Sequence, residues 1–302
     1  MPGSPMLRAQ FSDLMFPGLN KVYMLAYNSY PEEYTKYLNM DASTKRQEEE
    51  GANAAFGLVP EKLEGKTPYY DEIAYIGKIQ YLHKTYAMGF EVSEELVEDE
   101  LYGQIKQGPR ALAEAVKKTC DTLGAASLNN AFSSGLGVDG KVLCATDHPQ
   151  KKAGGQVSNR PSPYVDFDPI ALNSALETWE TWTDDNGLPL LLIPKYIVSG
   201  PKQRRIIGQT LGSEKEPFTA DNEINAVREW ELERLILHYL SDDDAWFILA
   251  RPTDHYMKWF WRVRPVFRNF DDPNTGNAKY LVRFRASSGF THWHGVYGSA
   301  GI

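Results

Sequence analysis

Cysteine is nearly absent from this chain: Cys120 and Cys144 are the only two in 302 residues. Two cysteines make no disulfide framework, which fits folding in a reducing compartment. The start, Met1-Pro2-Gly3-Ser4, lacks the basic-then-apolar order of a signal peptide. No apolar run approaches the roughly 20 residues that cross a bilayer. A soluble cytosolic product with no membrane partner is expected. Internal repeats and low-complexity segments are missing too.

Catalytic signatures are equally scarce. His292-x-His294 places two imidazoles on one face of a strand, because side chains alternate with period two. A zinc site needs one or two more ligands, and His83, His148, His238 and His255 stand at no spacing that supplies them. Asp147-His148 and Asp254-His255 resemble fragments of acid–base pairs, but no serine in a nucleophile elbow accompanies them. Gly135-x-Gly137 is short and follows a helical segment, the wrong context for a dinucleotide loop. The expectation is therefore no catalytic residue, no cofactor-binding residue, no metal ligand and no cofactor. Cys120 sits on an apolar stripe and reads as a packed small residue.

Aromatic residues are abundant, with 7 Trp and 17 Tyr, and such residues serve cores and protein interfaces alike. Charge is unevenly spread. The net charge is -8, yet residues 251–302 hold eight Lys/Arg against three Asp/Glu, or +5, which leaves -13 for residues 1–250. Such asymmetry suits nucleic-acid binding, or self-association of a basic end with an acidic face. In 257–285 a basic ribbon is predicted, Arg262, Arg264 and Arg268 opposite Arg283 and Arg285. No aromatic on that face would stack bases. The acidic remainder of the chain favours protein contacts, to acidic loops such as Asp242-Asp243-Asp244, over DNA.

Along the chain, Pro17-Gly18, Pro31 and scattered Tyr suggest that residues 1–45 are irregular, an extended arm with a short helix. Residues 46–83 combine a charged run, turn residues at 58–68 and strand-formers from Tyr69 to Tyr81, which reads as a long hairpin or loop. A strand is predicted over 85–92. Ser93 then caps a helix with Glu94 and Glu95 in its first turn. Leu101, Ile105, Leu112, Val116, Cys120 and Leu123 recur at helical spacing towards Phe132, with an interruption expected at Gly108-Pro109. Further on, a helix is expected over 169–184, buried strand over 188–198, a short helix over 204–211 and strands within 230–239 and 245–250. Odd positions from Met257 to Phe267 are apolar, and even ones include Lys258, Arg262, Arg264 and Arg268: strand alternation. A second strand holds Tyr280, Val282 and Phe284.

Several segments together resemble a family. They are Asp121-Thr-Leu-Gly-Ala-Ala-Ser-Leu-Asn-Asn-Ala-Phe-Ser133, Asp139-Gly-Lys-Val-Leu-Cys-Ala-Thr-Asp-His-Pro149, Gly154-Gly155, Ser158-Asn159, Gly187 through Pro201, and Trp293-His-Gly-Val-Tyr-Gly-Ser299. Their order, best from about residue 65 onward, is similar to the major head subunits of Mu-like tailed phages and prophages, which are capsid proteins. The resemblance implies an α+β chain of the Hong-Kong-type capsid fold: N-terminal arm 1–45, extended loop 46–83, peripheral domain with spine helix 84–145, axial domain 146–260, and peripheral C-terminal strands 261–302. It implies a structural, non-enzymatic protein that self-assembles into hexamers and pentamers of an icosahedral head in the host bacterial cytoplasm. Scaffold and maturation protease would be separate proteins. A portal, possible decoration proteins and loosely held packaged DNA would be the other partners. The Lys–Asn cross-link of some relatives matches no residue here. An encapsulin-like cellular shell, a nucleic-acid-binding protein using the basic strands and, distantly, a hydrolase are the alternatives.

Overall fold

The computed structural model describes residues 9–93, 102–215, 224–271 and 277–302. Two four-stranded sheets organise them. The first runs in the order β1 (Asn39–Ala42), β10 (Met257–Asp271), β11 (Ala278–Phe290), β4 (Lys84–Val92). The second runs β12 (Val296–Ser299), β9 (Trp246–Ala250), β7 (Pro194–Ser199), β8 (Glu233–Ile236), and the short strands β5 (His148–Pro149) and β6 (Gln156–Val157) pair with each other.

The alternation holds along β11 and at the two ends of β10. Trp259, Trp261, Phe267, Tyr280, Val282, Phe284 and Ala286 all point into one core. Against them lies helix α3 (Gln107–Asn129), whose Leu112, Val116 and Cys120 form the predicted stripe. A one-turn helix α2 (Tyr102–Ile105) precedes it, and the break falls at Lys106, just before Gly108-Pro109. Leu101 and the expected cap at Glu94-Glu95 lie outside the described residues. Cys120 is fully buried among these apolar groups, which pushes its thiol up to about 12 and removes it from reactivity.

The irregular arm expected over 1–45 is corrected. Ala9–Ser29 is a 21-residue helix, α1, despite Pro17 inside it. Met15, Phe16, Leu19, Tyr23, Ala26 and Tyr27 fall on one face and pack on the core. Phe16 and Tyr23 both stack on Phe267, at 5.6 and 5.0 Å between ring centroids. Burying such rings stabilises by roughly 1.5–3 kcal/mol each, enough to outweigh the helix bond that Pro17 removes. After α1, Asp121 of α3 accepts the backbone N–H groups of Glu33 and Tyr34, at 2.8 and 3.1 Å. Tyr34 comes so close to Gly124 that a Cβ there would lie 2.5 Å from its own, so α3 needs glycine at that point. The chain then enters the first sheet as β1, parallel to β10.

The second sheet has a core on each face. Val198, Phe247, Leu249 and Val296 join the first core; Ile197, Trp246, Ile248 and Ala250 face the other. That other core is closed by helix α4 (Pro169–Glu180) through Leu172, Ala175, Leu176 and Trp179, and by Ile207 of α5 (Arg204–Gly212). Asp168 caps α4 by accepting Ala171 N–H, with Pro169 at the first helical position.

Two further expectations change. Residues 188–193 are not strand, and Leu191 is 95% exposed. Pro189 and Pro194 cannot donate to a ladder. The segment instead hangs on Trp182 O, which accepts Leu190 N–H, and on Trp179, whose indole donates to Leu192 O. The last strand, grouped by sequence with residues 261–302 and the long β10–β11 pair, lies in the second sheet beside β9.

Candidate assembly surfaces

The first surface is built on a hairpin. Strands β2 (Gln47–Ala54) and β3 (Ala74–Leu82) pair antiparallel from Gln47↔Leu82 to Ala54↔Ala74. Their base belongs to the core. The Tyr81 ring lies 5.0 Å from Phe260, and its hydroxyl meets Thr291 at 2.7 Å. Thr291 in turn donates to Glu50, which also pairs with Lys258. Beyond the base, residues 55–73 form no strand or helix. Phe56, Leu58, Val59, Leu63, Tyr69, Tyr70 and Ile73 are all exposed there, Val59 at 94%. So much large apolar surface in one segment is unusual for a chain that functions alone.

The two ends of this segment are tethered to the turns around residues 152 and 186. Lys152 Nζ donates to Ala55 O (3.2 Å) and Glu72 O (2.6 Å), and pairs with Asp71 at 3.2 Å. Asn186 donates to Ala55 O at 3.1 Å. Asp71 also accepts Gly57 N–H, and this bond and Lys152 hold its carboxyl below the usual range. Neither Asn186 nor Lys152 stands out in the sequence. Nothing local marks a lysine that reaches a segment some 80 residues away.

The second surface is the basic ribbon. The expected clean alternation is broken by register shifts between Trp261 and Val263 and between Val263 and Val266. Arg262 therefore shares the outer face with Arg285, whereas Arg264 turns to the α1 side, 5.9 Å over the Trp261 ring and beside Tyr27. Arg262, Arg264, Arg268, Arg283 and Arg285 form no ion pair among the described residues. Desolvation, followed by Arg285 and Arg262, depresses His83, whose Nε2 is buried without a partner, as are the Nε atoms of both arginines.

The histidines single out no reaction. His148 pairs with Asp139 at 2.6 Å and with Asn159 at 3.0 Å, while Asp147 pairs with Lys141. Both His148 ring nitrogens thus lie against side-chain oxygens, which fixes the ring in place. His255 Nδ1 accepts Met257 N–H rather than engaging Asp254. His292 and His294 do stand together, with ring centroids 3.8 Å apart. Among the described residues no group of three or more His, Cys, Asp or Glu is placed to hold a metal, and no helix is long and apolar enough to cross a membrane.

These buried rings have a thermodynamic consequence. Burial pushes His255 and His292 down to about 4. Burial, with His292 and His148, pushes His294 well below its ordinary value. The folded state then refuses protons that the unfolded state accepts, so stability is intact above about pH 6.5 and lost as pH falls towards 4. His255 and His292 each account for on the order of 3 kcal/mol at the acid end of that window. Urea midpoints should fall steadily from pH 7 to pH 4.5. A flat profile over that range would contradict the burial argument.

The comparisons with known proteins bear on these surfaces. A sequence model of a family described as phage capsid protein matches residues 78–299. No curated protein sequence matches. Among solved structures, the chain is similar to the procapsid of bacteriophage JBD30, at 19% identity, covering 98% of this chain and 76% of that one, TM-score 0.53. It is similar to a virus-like particle from Pyrococcus furiosus, at 9% identity, 94% and 98% coverage, TM-score 0.56. It is also similar to the mature capsid of bacteriophage PhiM1, at 12% identity, 89% and 86% coverage, TM-score 0.55. At these identities the likeness is one of fold, and that fold is the expected Hong-Kong-type capsid fold.

Proposed function

Because the chain belongs to the phage capsid protein family, and so serves as a structural subunit of the virion shell, we propose a more specific reading of how it does so. The chain is a major head subunit that forms hexamers and pentamers, which close into an icosahedral head around DNA. Within it, the 46–83 segment reaches across a neighbouring subunit, α3 is the spine of a peripheral domain, and the second sheet forms the axial domain. The order of its sequence motifs supports kinship with the head subunits of Mu-like phages. Assembly takes place in the host bacterial cytoplasm. Scaffold, maturation protease, portal and any decoration proteins are separate chains, and packaged DNA touches the shell loosely.

The observation that carries this reading is the segment 55–73, tethered at both ends and carrying seven large exposed apolar side chains. Such a segment has no core of its own, and a neighbouring copy would cover it. Area buried this way, repeated around a closed particle, adds up to a stable shell from individually modest contacts. Negative-stain imaging of the purified chain, alone or with its scaffold, should show closed shells or capsomer rings. A monomer by light scattering at every salt and concentration would overturn the reading.

The arginines of β10 and β11 act in the same reading through protein contacts. Reversing Arg262 or Arg283 to Glu should lower shell yield by roughly tenfold, through a lost or reversed ion pair. Reversal of the matching acidic residue should partly restore it. Duplex DNA should bind the isolated subunit weakly even in low salt. Tight, steeply salt-dependent binding lost in Arg262→Glu would favour nucleic-acid recognition instead.

A further inference from the structure

The second sheet presents opposite charge at its two flanks. On one flank, Arg204 and Arg205 open α5, and Arg234 extends from β8, the outermost strand. Arg234 lies across the helix at Gly208, where a Cβ would come within 2.5 Å of its Nη1, and that nitrogen donates to Arg204 O at 3.2 Å. The three arginines line an open groove of about 620 Å³ with Pro201, Lys202 and Gln209. Lys202 is already neutralised by Asp243. None of the three arginines pairs with a carboxylate among the described residues. Arg204 and Arg205 also occupy the first turn of α5, where the helix dipole is itself positive. Three uncompensated cations at such a place repel one another unless an anion is brought to them.

The other flank supplies anions. Ile170, Ser174 and Glu177 form the outward stripe of α4, with Glu180 one turn on. Glu177 and Glu180 pair with no cation among the described residues. Leu191 and Ile193, at 95% and 63% exposure, lie in the segment that hangs on Trp179 near the end of α4. The chain enters α4 at the far edge of the sheet from β8. Val165 N–H donates to Ser299 Oγ of β12 at 3.0 Å, and Ser299 Oγ donates back to Val165 O at 2.7 Å.

We propose that these flanks are a head-to-tail interface between two copies of this chain: the arginine groove of α5 and β8 on one copy receives the Glu177–Glu180 face of α4 on the next. A two-fold contact through either flank would set arginine against arginine or glutamate against glutamate. Only a heterologous contact satisfies both, and such contacts close into rings when the rotation between copies permits. Arginine beside exposed aliphatic groups is the composition that interface centres favour. The inference rests on the shell reading and adds to it which surfaces of the second sheet meet.

The test uses three full-length variants: Arg204→Glu with Arg205→Glu, Glu177→Lys with Glu180→Lys, and all four changes together. Ring and shell yield is measured by mass photometry and imaging at fixed salt, with thermal melting as the folding control. Each double variant should assemble at least about tenfold less than the parent with an unchanged melt, and the quadruple variant should recover most of the yield. Milder pairs, Arg204→Gln with Arg205→Gln and Glu177→Gln with Glu180→Gln, serve if a reversal perturbs folding; they should lose yield in the same direction. Double variants that assemble like the parent, or a quadruple variant that stays deficient, would overturn the interface while leaving the shell reading intact. A parent chain that never assembles would overturn both. Loss of duplex-DNA binding in the arginine variant with assembly unchanged would assign the groove to nucleic acid and also overturn the proposal.

Discussion

Replacing residues 56–72 with a short Gly-Ser turn is expected to leave a folded subunit and to abolish closed shells. Ala54 and Ala74 are paired across the hairpin, so a short turn can join them without moving β2 or β3. The contacts that tie the two strands to the core lie below that point, Tyr81 with Thr291 and Glu50 with Lys258, while the bonds from Lys152 and Asn186 hold only the 55–73 segment itself. A deletion extending over residues 48–80 would remove Glu50 and most of both strands, and would confuse folding with assembly. The shorter replacement should change unfolding free energy by no more than about 1 kcal/mol, because it removes exposed groups and shortens a loop. Assembly should fall on the order of 100-fold or more, since the contact recurs at every subunit of a closed particle. Sedimentation of the variant beside the parent reads both effects. Shells that still form would show that this segment does not bridge subunits. An unfolded variant would place the segment in the core.

Lys152→Ala separates the tether from the cover. It removes the bonds to Ala55 O, Glu72 O and Asp71 but leaves the apolar side chains in place. Its effect should be smaller than that of the loop replacement, because Asn186 still holds Ala55 O.

Much of this architecture is legible in the sequence because the signals are periodic. The α3 stripe and the paired rows of β10 and β11 need only spacing to be read, and Asp168-Pro169 announces the start of α4 by cap chemistry. Helix α1 was hidden because Pro17-Gly18 looks like a break. Its stability comes from Phe267, some 250 residues away, and no local window contains that ring. The run Leu188–Ile193 misled in the opposite sense, since its apolar composition looks like strand while its backbone bonds go to Trp182 and Trp179 instead of a ladder. Arg264 was assigned to the wrong face because a strand bulge shifts register by one residue and sends the side chain to the other side. The assembly surfaces were the least legible. A tether such as Lys152, or the opposite charge of α4 and α5, depends on which segments the fold makes neighbours.

Asn159→Ala is expected to be among the most destabilising single substitutions in the second sheet. Asn159 was visible only as part of a motif order, Ser158-Asn159. In the fold it is a buried junction. Its Oδ1 accepts Ala145 N–H at 2.8 Å and faces His148 Nε2 at 3.0 Å. Its Nδ2 donates to Leu143 O at 2.8 Å and to Val296 O at 2.9 Å. One amide thereby joins the loop after α3 to the final strand of the second sheet, and the backbone bond from Gly298 N–H to Asn159 O extends the seam. Alanine keeps that backbone bond but orphans the Ala145 N–H, two carbonyls and a ring nitrogen in a buried place. Each such group costs about 1–3 kcal/mol, and partial relaxation leaves a total of roughly 3–5 kcal/mol. Asn159→Asp keeps the acceptor and loses both Nδ2 donations, and it sets a second carboxylate beside Asp139 and His148. It should therefore destabilise strongly too, with a different pH dependence. Chemical denaturation of the isolated subunit measures these losses without any contribution from assembly. A loss below about 1 kcal/mol for Asn159→Ala would mean that the seam between loop and strand is held by packing alone.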